Sequence, residues 1–172
     1  MAIKRKFPAR TATVHCSGGC RAKRDENGGL LCAYGCVACG ACVEACRFGA
    51  VQINDLGCAE VDEEKCIGCE ACARKCPRGL IDLRRTEDRI AVLCSNRDKG
   101  FDPATKTGAR TVCDVSCIGC GLCVKKCPAD AIHVVEFWAV IDYERCLSCG
   151  ACGDVCPRHA IRDRFGIITE KC

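Results

Sequence analysis

Aromatic side chains are scarce in this sequence: one Trp, two Tyr and five Phe among 172 residues. Long apolar runs are missing too. The nominal 49% hydrophobic content counts every cysteine, and without them the supply is thin for a conventional core. No stretch approaches the roughly 18 apolar residues of a membrane span. The basic start MAIKRKFPARTATVHC has no apolar run of signal-peptide length. A secreted or membrane-crossing chain is therefore not expected, and a cytoplasmic one is. No Ser/His/Asp set, phosphate-binding glycine loop or flavin site can be read, which argues against bond chemistry by the chain alone. Lys4, Arg5, Lys6 and Arg10 have neither interleaved aromatics nor an apolar face beside them. They read as a solvated tail, and no nucleic-acid partner is expected.

What the sequence has in excess is cysteine, 23 residues of it. An odd number with no secretion signal does not suit a disulfide scaffold. Sixteen of the cysteines fall into four runs with gaps of two, two and three. The runs are Cys36, Cys39, Cys42, Cys46; Cys66, Cys69, Cys72, Cys76; Cys117, Cys120, Cys123, Cys127; and Cys146, Cys149, Cys152, Cys156. The first two start 30 residues apart, the last two 29, and the middle step is 51. The repeating unit is thus a pair of runs.

Each fourth cysteine leads into a short apolar run, as in CPRGLIDL and CPADAIHVV. Between the runs of a pair, AVQINDLGCAEVDEEKC and AIHVVEFWAVIDYERC read as strand, turn and strand, with the first turn at Asn54 to Gly57. Segments such as CARKC and CVKKC tolerate a helix. The expected fold class is α+β: tandem small ferredoxin-like modules organised around metal, each too small to stand on apolar burial alone. The expected divisions are an N-terminal segment, 1–31; a first module, 32–83; a linker, 84–112, where IAVL suggests a strand; and a second module with its tail, 113–172.

C-x2-C-x2-C-x3-C-P is the bacterial iron–sulfur spacing. Three cysteines wrap one [4Fe–4S] cluster, and the fourth reaches the other cluster of the pair. Cys36, Cys39 and Cys42 are then completed by Cys76, and Cys66, Cys69 and Cys72 by Cys46. Likewise Cys117, Cys120 and Cys123 take Cys156, while Cys146, Cys149 and Cys152 take Cys127. Small residues between ligands, such as Gly40, Gly68, Gly119, Gly121 and Gly150, let backbone N–H groups approach sulfur. Arg47 stands where the other runs have proline, and Glu70 where they have glycine. Structural zinc uses isolated C-x2-C pairs, which overlapping triplets do not resemble. Each cluster with four thiolates carries −2, so four of them turn the formal +4 into about −4.

Several stretches go further. HCSGGC, CAYGCVACGACVEAC, VDEEKCIGCEACARKCPRGLIDL, CSNRDKG and CDVSCIGCGLCVKKCPADAI make the chain similar, over about Cys16 to Ile161, to the ferredoxin region of the B subunit of Rnf. Rnf is an ion-translocating ferredoxin:NAD oxidoreductase. In that family the B subunit carries an N-terminal membrane anchor and a further cysteine-rich domain ahead of this region. Neither is read in these residues, so the expectation is a freestanding polyferredoxin, such as a subunit of a soluble redox enzyme. Family members often lack a cysteine at the position of Cys39, for which the upstream Cys32 compensates; this chain has both.

Outside the four runs lie Cys16, Cys20, Cys32, Cys58, Cys94, Cys113 and Cys172. Cys16, Cys20, Cys94 and Cys113 sit in family-like segments flanking the modules and form the expected ligand set of a fifth cluster, with Cys32 or Cys39 left spare. Cys58 aligns with Trp138 and reads as a core residue. His15, His133 and His159 are isolated and read as structural. The expected function is low-potential electron relay between a donor and a partner oxidoreductase, in a hetero-oligomer with a flavoprotein, hydrogenase or other dehydrogenase subunit. The alternatives are a freely diffusing ferredoxin and the electron-input subunit of an Rnf-like complex.

Overall fold

The structure is a computed structural model that describes residues 8–18 and 23–165. Among these residues are eight short strands and five short helices, and the strands pair into four two-stranded antiparallel sheets. In the first half β1 (Arg10–Val14) pairs with β4 (Ile81–Arg85), and β2 (Val51–Ile53) with β3 (Ala59–Val61). In the second half β5 (Ile90–Val92) pairs with β8 (Ile161–Asp163), and β6 (Ile132–Val135) with β7 (Trp138–Ile141). Helices α1 (Ala41–Glu44) and α2 (Ala71–Lys75) belong to the first half, α4 (Leu122–Lys126) and α5 (Ala151–Asp154) to the second. A further turn of helix, α3 (Ala109–Val112), leads into the second half.

The two halves repeat one plan. A leading strand from outside the inner hairpin pairs with the strand that follows the last cysteine. Val14 faces Ile81 in one half and Val92 faces Ile161 in the other. The chain then leaves its strand by the same bond, His15 N–H to the Leu80 carbonyl (2.8 Å) and Leu93 N–H to the Ala160 carbonyl (2.7 Å). The segment 10–14, ahead of the expected first module, therefore lies in that module's outer sheet. IAVL, placed in the expected linker, lies in the second module's.

Local chemistry explains the inner hairpins. Asn54 turns the first by accepting, at Oδ1, the amides of Leu56 (3.1 Å) and Cys58 (3.0 Å). The second turns at Glu136 and Phe137, both at positive φ, which matches the twist of the flanking strands. Each half has its own small core. Ala12, Val14, Ala50, Val51, Leu80 and Ile81 form the first, and Ile90, Val92, Ile132, Ile141, Ala160 and Ile161 the second, both interleaved with cysteines.

Polar bonds weld the halves together. His15 bonds the Val92 carbonyl through Nδ1 and Asp82 Oδ1 through Nε2, each at 2.8 Å. This is a structural role, as expected of that histidine. Burial would raise the Asp82 carboxyl, but the His15 bond and charge, with Arg84, hold it below the usual carboxylate range. Arg164 is buried with Glu63 (2.8 and 3.0 Å) and also donates to the Arg85 and Asp88 carbonyls and to Thr11 Oγ1. Among the described residues no helix is long and apolar enough to cross a membrane.

Candidate metal centres

Each cysteine run builds the same local shape. The residue before the second cysteine is in left-handed backbone: Ala38, Gly68, Gly119 and Ser148. The chain turns again at the helix N-cap, where Gly40, Glu70, Gly121 and Gly150 have φ of 77°, 64°, 72° and 82°. Glycine takes that conformation freely, whereas Glu70 takes it at a cost of about 1–2 kcal/mol. The result is a repeated order of burial. The second cysteines, Cys39, Cys69, Cys120 and Cys149, are exposed, and the third, Cys42, Cys72, Cys123 and Cys152, are buried on the helices. The fourth, Cys46, Cys76, Cys127 and Cys156, are half-buried.

The structure brings together thiols from different runs. Cys36, Cys39, Cys42 and Cys76 line one cavity, beside Val14 and Ile81. Cys146, Cys149, Cys152 and Cys127 line another, beside Ile90 and Ile132. In the other two groups the fourth cysteine of the partner run lies close enough for its charge to act on the buried third cysteine. Cys72 is raised first by burial and then by the charges of Cys66 and Cys46. Cys123 is pushed up to about 11 by burial and by Cys117, Cys156 and Cys120. Cys69 lies on the exposed turn between Cys66 and Cys72.

These groups suit an iron–sulfur cluster on two counts. First, backbone amides point at sulfur: Ala12 to Cys66, Ala50 to Cys46, Leu80 to Cys76, Ala131 to Cys127 and Ser148 to Cys146, all at 3.3–3.4 Å. Such bonds stabilise thiolate and sulfide charge and tune potential. Second, burial pushes Cys152 up to about 12 and raises Cys42 and Cys117. Thiolates in such surroundings need positive charge, which a cluster core supplies. Among the described residues no three His, Cys, Asp or Glu side chains are grouped as one metal ion would require. A cubic cluster instead offers a separate iron to each of four thiols around a larger void.

A further cavity lies between the halves. Five cysteines line it: Cys36 of the first run, and Cys16, Cys32, Cys94 and Cys113 from outside the runs. Three of these belong to the expected extra set. The expected fourth, Cys20, lies outside the described residues, as does Cys172, and Cys32 occupies the remaining wall. The sequence leaves either Cys32 or Cys39 spare, although the lead-in C-x3-C at Cys32–Cys36 recurs at Cys113–Cys117. Cys58 is buried, as expected of a core residue. It also bonds two of the expected ligands, Cys16 and Cys36. Its bonding lowers Cys16 to about 6 and Cys36 to about 5, more than offsetting burial.

Models of the 4Fe-4S dicluster domain match residues 35–80 and 116–160, and a second such model matches 58–128. The chain is 45% identical, over 114 residues, to the B subunit of the ion-translocating oxidoreductase complex of Methanosarcina acetivorans, covering 66% of this chain and 41% of that protein. It is 36% identical to the B subunit of the Na(+)-translocating ferredoxin:NAD(+) oxidoreductase complex of Acetobacterium woodii, covering 73% and 36%. To the proton-translocating counterpart of Clostridium ljungdahlii it is 35% identical, covering 77% and 50%. The chain thus spans half the length of these relatives or less. With dicluster models matching more than half of its residues, in two copies, one within each structural repeat, the chain belongs to the 4Fe-4S dicluster domain family.

Proposed function

We propose that the protein relays low-potential electrons one at a time through four [4Fe–4S] clusters held by crossed cysteine sets. The observation that carries this reading is the composition of the thiol groups, three cysteines of one run with the fourth of its partner. A [4Fe–4S] cluster supplies one-electron redox chemistry when bound. The chain's own residues do the rest. Buried Cys42, Cys72, Cys123 and Cys152 anchor each site in the core, and backbone amides neutralise sulfur charge without a titratable group. Exposed Cys39, Cys69, Cys120 and Cys149 bring one corner of each site to the surface. Exposed apolar neighbours, Ile67 beside Cys69 and Leu147 beside Cys149, offer contact points to a redox partner. The chain contributes electron transfer, and bond chemistry resides in a partner such as a flavoprotein, a hydrogenase or another dehydrogenase subunit.

The setting favoured by the relatives is an Rnf-like assembly, since all three are B subunits of ion-translocating oxidoreductase complexes. In that setting this chain is an electron-input segment. Anaerobic purification with iron and acid-labile sulfide analysis tests the relay, and affinity capture from the native host tests the setting. A loaded protein holding mainly zinc defeats the first. Recovery without any redox protein leaves a diffusing ferredoxin in place of the second.

A further inference from the structure

Four cysteines outside the crossed sets line the cavity between the halves, and they obey the same repeat as the fold. Cys16 stands two residues beyond the end of β1, and Cys94 two residues beyond the end of β5. Cys32 stands four residues before Cys36, and Cys113 four before Cys117. The bonding repeats as well. The amide of Cys36 donates to Cys16 Sγ (3.3 Å), and the amide of Cys117 donates to Cys94 Sγ (3.2 Å). Asn96, itself fully buried, gives its backbone N–H to Cys94 Sγ (3.4 Å) and its side-chain amide to Cys32 Sγ (3.5 Å). The arginine of each CPR sequence ties down the lead-in: Arg78 donates to the Ala33 carbonyl and Arg158 to those of Cys113 and Ser116.

We propose that Cys16, Cys32, Cys94 and Cys113 hold a fifth [4Fe–4S] cluster, to which each module contributes one strand-end cysteine and one lead-in cysteine. This rests on the iron–sulfur reading above. Cysteines kept for packing alone have no need of amides aimed at their sulfurs, nor of matching places in two repeats. The donors are those found at the crossed sets, and the four thiols come from four distant segments. The placement explains how two diclusters become one conductor. Cys16 adjoins Cys36 of one crossed set, and Cys94 adjoins Cys117 of another, so this site is the station between modules.

Native mass spectrometry of the anaerobically purified full chain counts clusters directly. Five are expected, about twenty irons at four per cluster. A count of four in a fully loaded preparation overturns the fifth site and leaves the relay standing, whereas zinc overturns the relay itself. Cys32→Ala and Cys113→Ala are each expected to lose one cluster and to keep the electron paramagnetic resonance signals of the others. Cys20→Ala is expected to keep five. Loss in Cys20→Ala with retention in Cys32→Ala overturns the ligand set. Should a variant fail to fold, the wild-type count still decides the existence of the site.

Discussion

The sulfur of Cys58 lies 3.8 Å from that of Cys16. The same thiol lowers Cys36, so it can donate to either of two thiolates that belong to neighbouring sites. A donor to a ligand sulfur favours the more electron-rich, reduced state. Cys58→Ala is therefore expected to lower the potential of the Cys36 centre while leaving the centres of the second module where they were. A redox titration followed by electron paramagnetic resonance reads this. Unchanged potentials throughout would reduce Cys58 to a packing residue.

Crossing makes an unusual prediction about distance along the chain. Cys76→Ala is expected to abolish the cluster of Cys36, Cys39 and Cys42, a loss of about four irons, and to spare that of Cys66, Cys69 and Cys72. Mössbauer and electron paramagnetic resonance spectra of the variant separate the two. Selective damage to the Cys66 centre would mean that each run serves itself.

Glu70 holds a left-handed backbone that its three counterparts fill with glycine, and it places an acidic side chain next to Cys69 in the chain. Glu70→Gly should stabilise the holoprotein by about 1 kcal/mol. It should also raise the potential of the Cys66 centre, by roughly tens of millivolts once solvent screening is counted. Its ion pair with Arg74 is exposed and offsets little (3.6 Å). Protein-film voltammetry and the temperature of cluster bleaching give both numbers; a fall in either contradicts the account.

Arg164 has no water to fall back on, its side chain being 2% exposed. Arg164→Ala takes the guanidinium from Glu63 and from the Asp88 carbonyl, and leaves the Arg85 carbonyl only the Asp88 amide, at a cost of about 3–5 kcal/mol. Unfolding with cluster loss is irreversible, so the cost appears as a rate. The variant should release iron faster in guanidinium than the wild type. Glu63→Gln should be milder, because the arginine keeps its carbonyl and hydroxyl acceptors. Equal release rates for Arg164→Ala and wild type would show that the modules are held by other means.

What could be read from the sequence was what is local. The four cysteine runs and the Asn54 turn follow from spacings of a few residues, and the grouping of thiols from paired runs agrees with one known spacing rule. The outer sheets could not be read in this way. β1 finds β4 across some seventy residues, with Arg10 opposite Arg85, and strands of three to five residues carry too little periodicity to name a distant partner. Cys32 on the central cavity was not legible for a related reason. HCSGGC looks like a ligand pair because its cysteines are close in sequence; Cys20 lies outside the described residues, while Cys16 and Cys32 line one cavity, which the repeated C-x3-C lead-in announces. Arg164 gave no sign at all, because its value lies in acceptors from three separate segments.

The uniform exposure of the second cysteine in every run bears on the molecule's lifetime in air. Oxidants reach a cluster through its least shielded corner, and Cys39, Cys69, Cys120 and Cys149 provide one for each crossed set. Of the central cavity's four thiols outside the runs, by contrast, Cys32, Cys94 and Cys113 are buried, Cys16 is half-buried, and none is exposed. Corrosion should therefore begin at the periphery and reach the middle last, and a partner seated over an exposed cysteine would shield that corner as well as exchange electrons there.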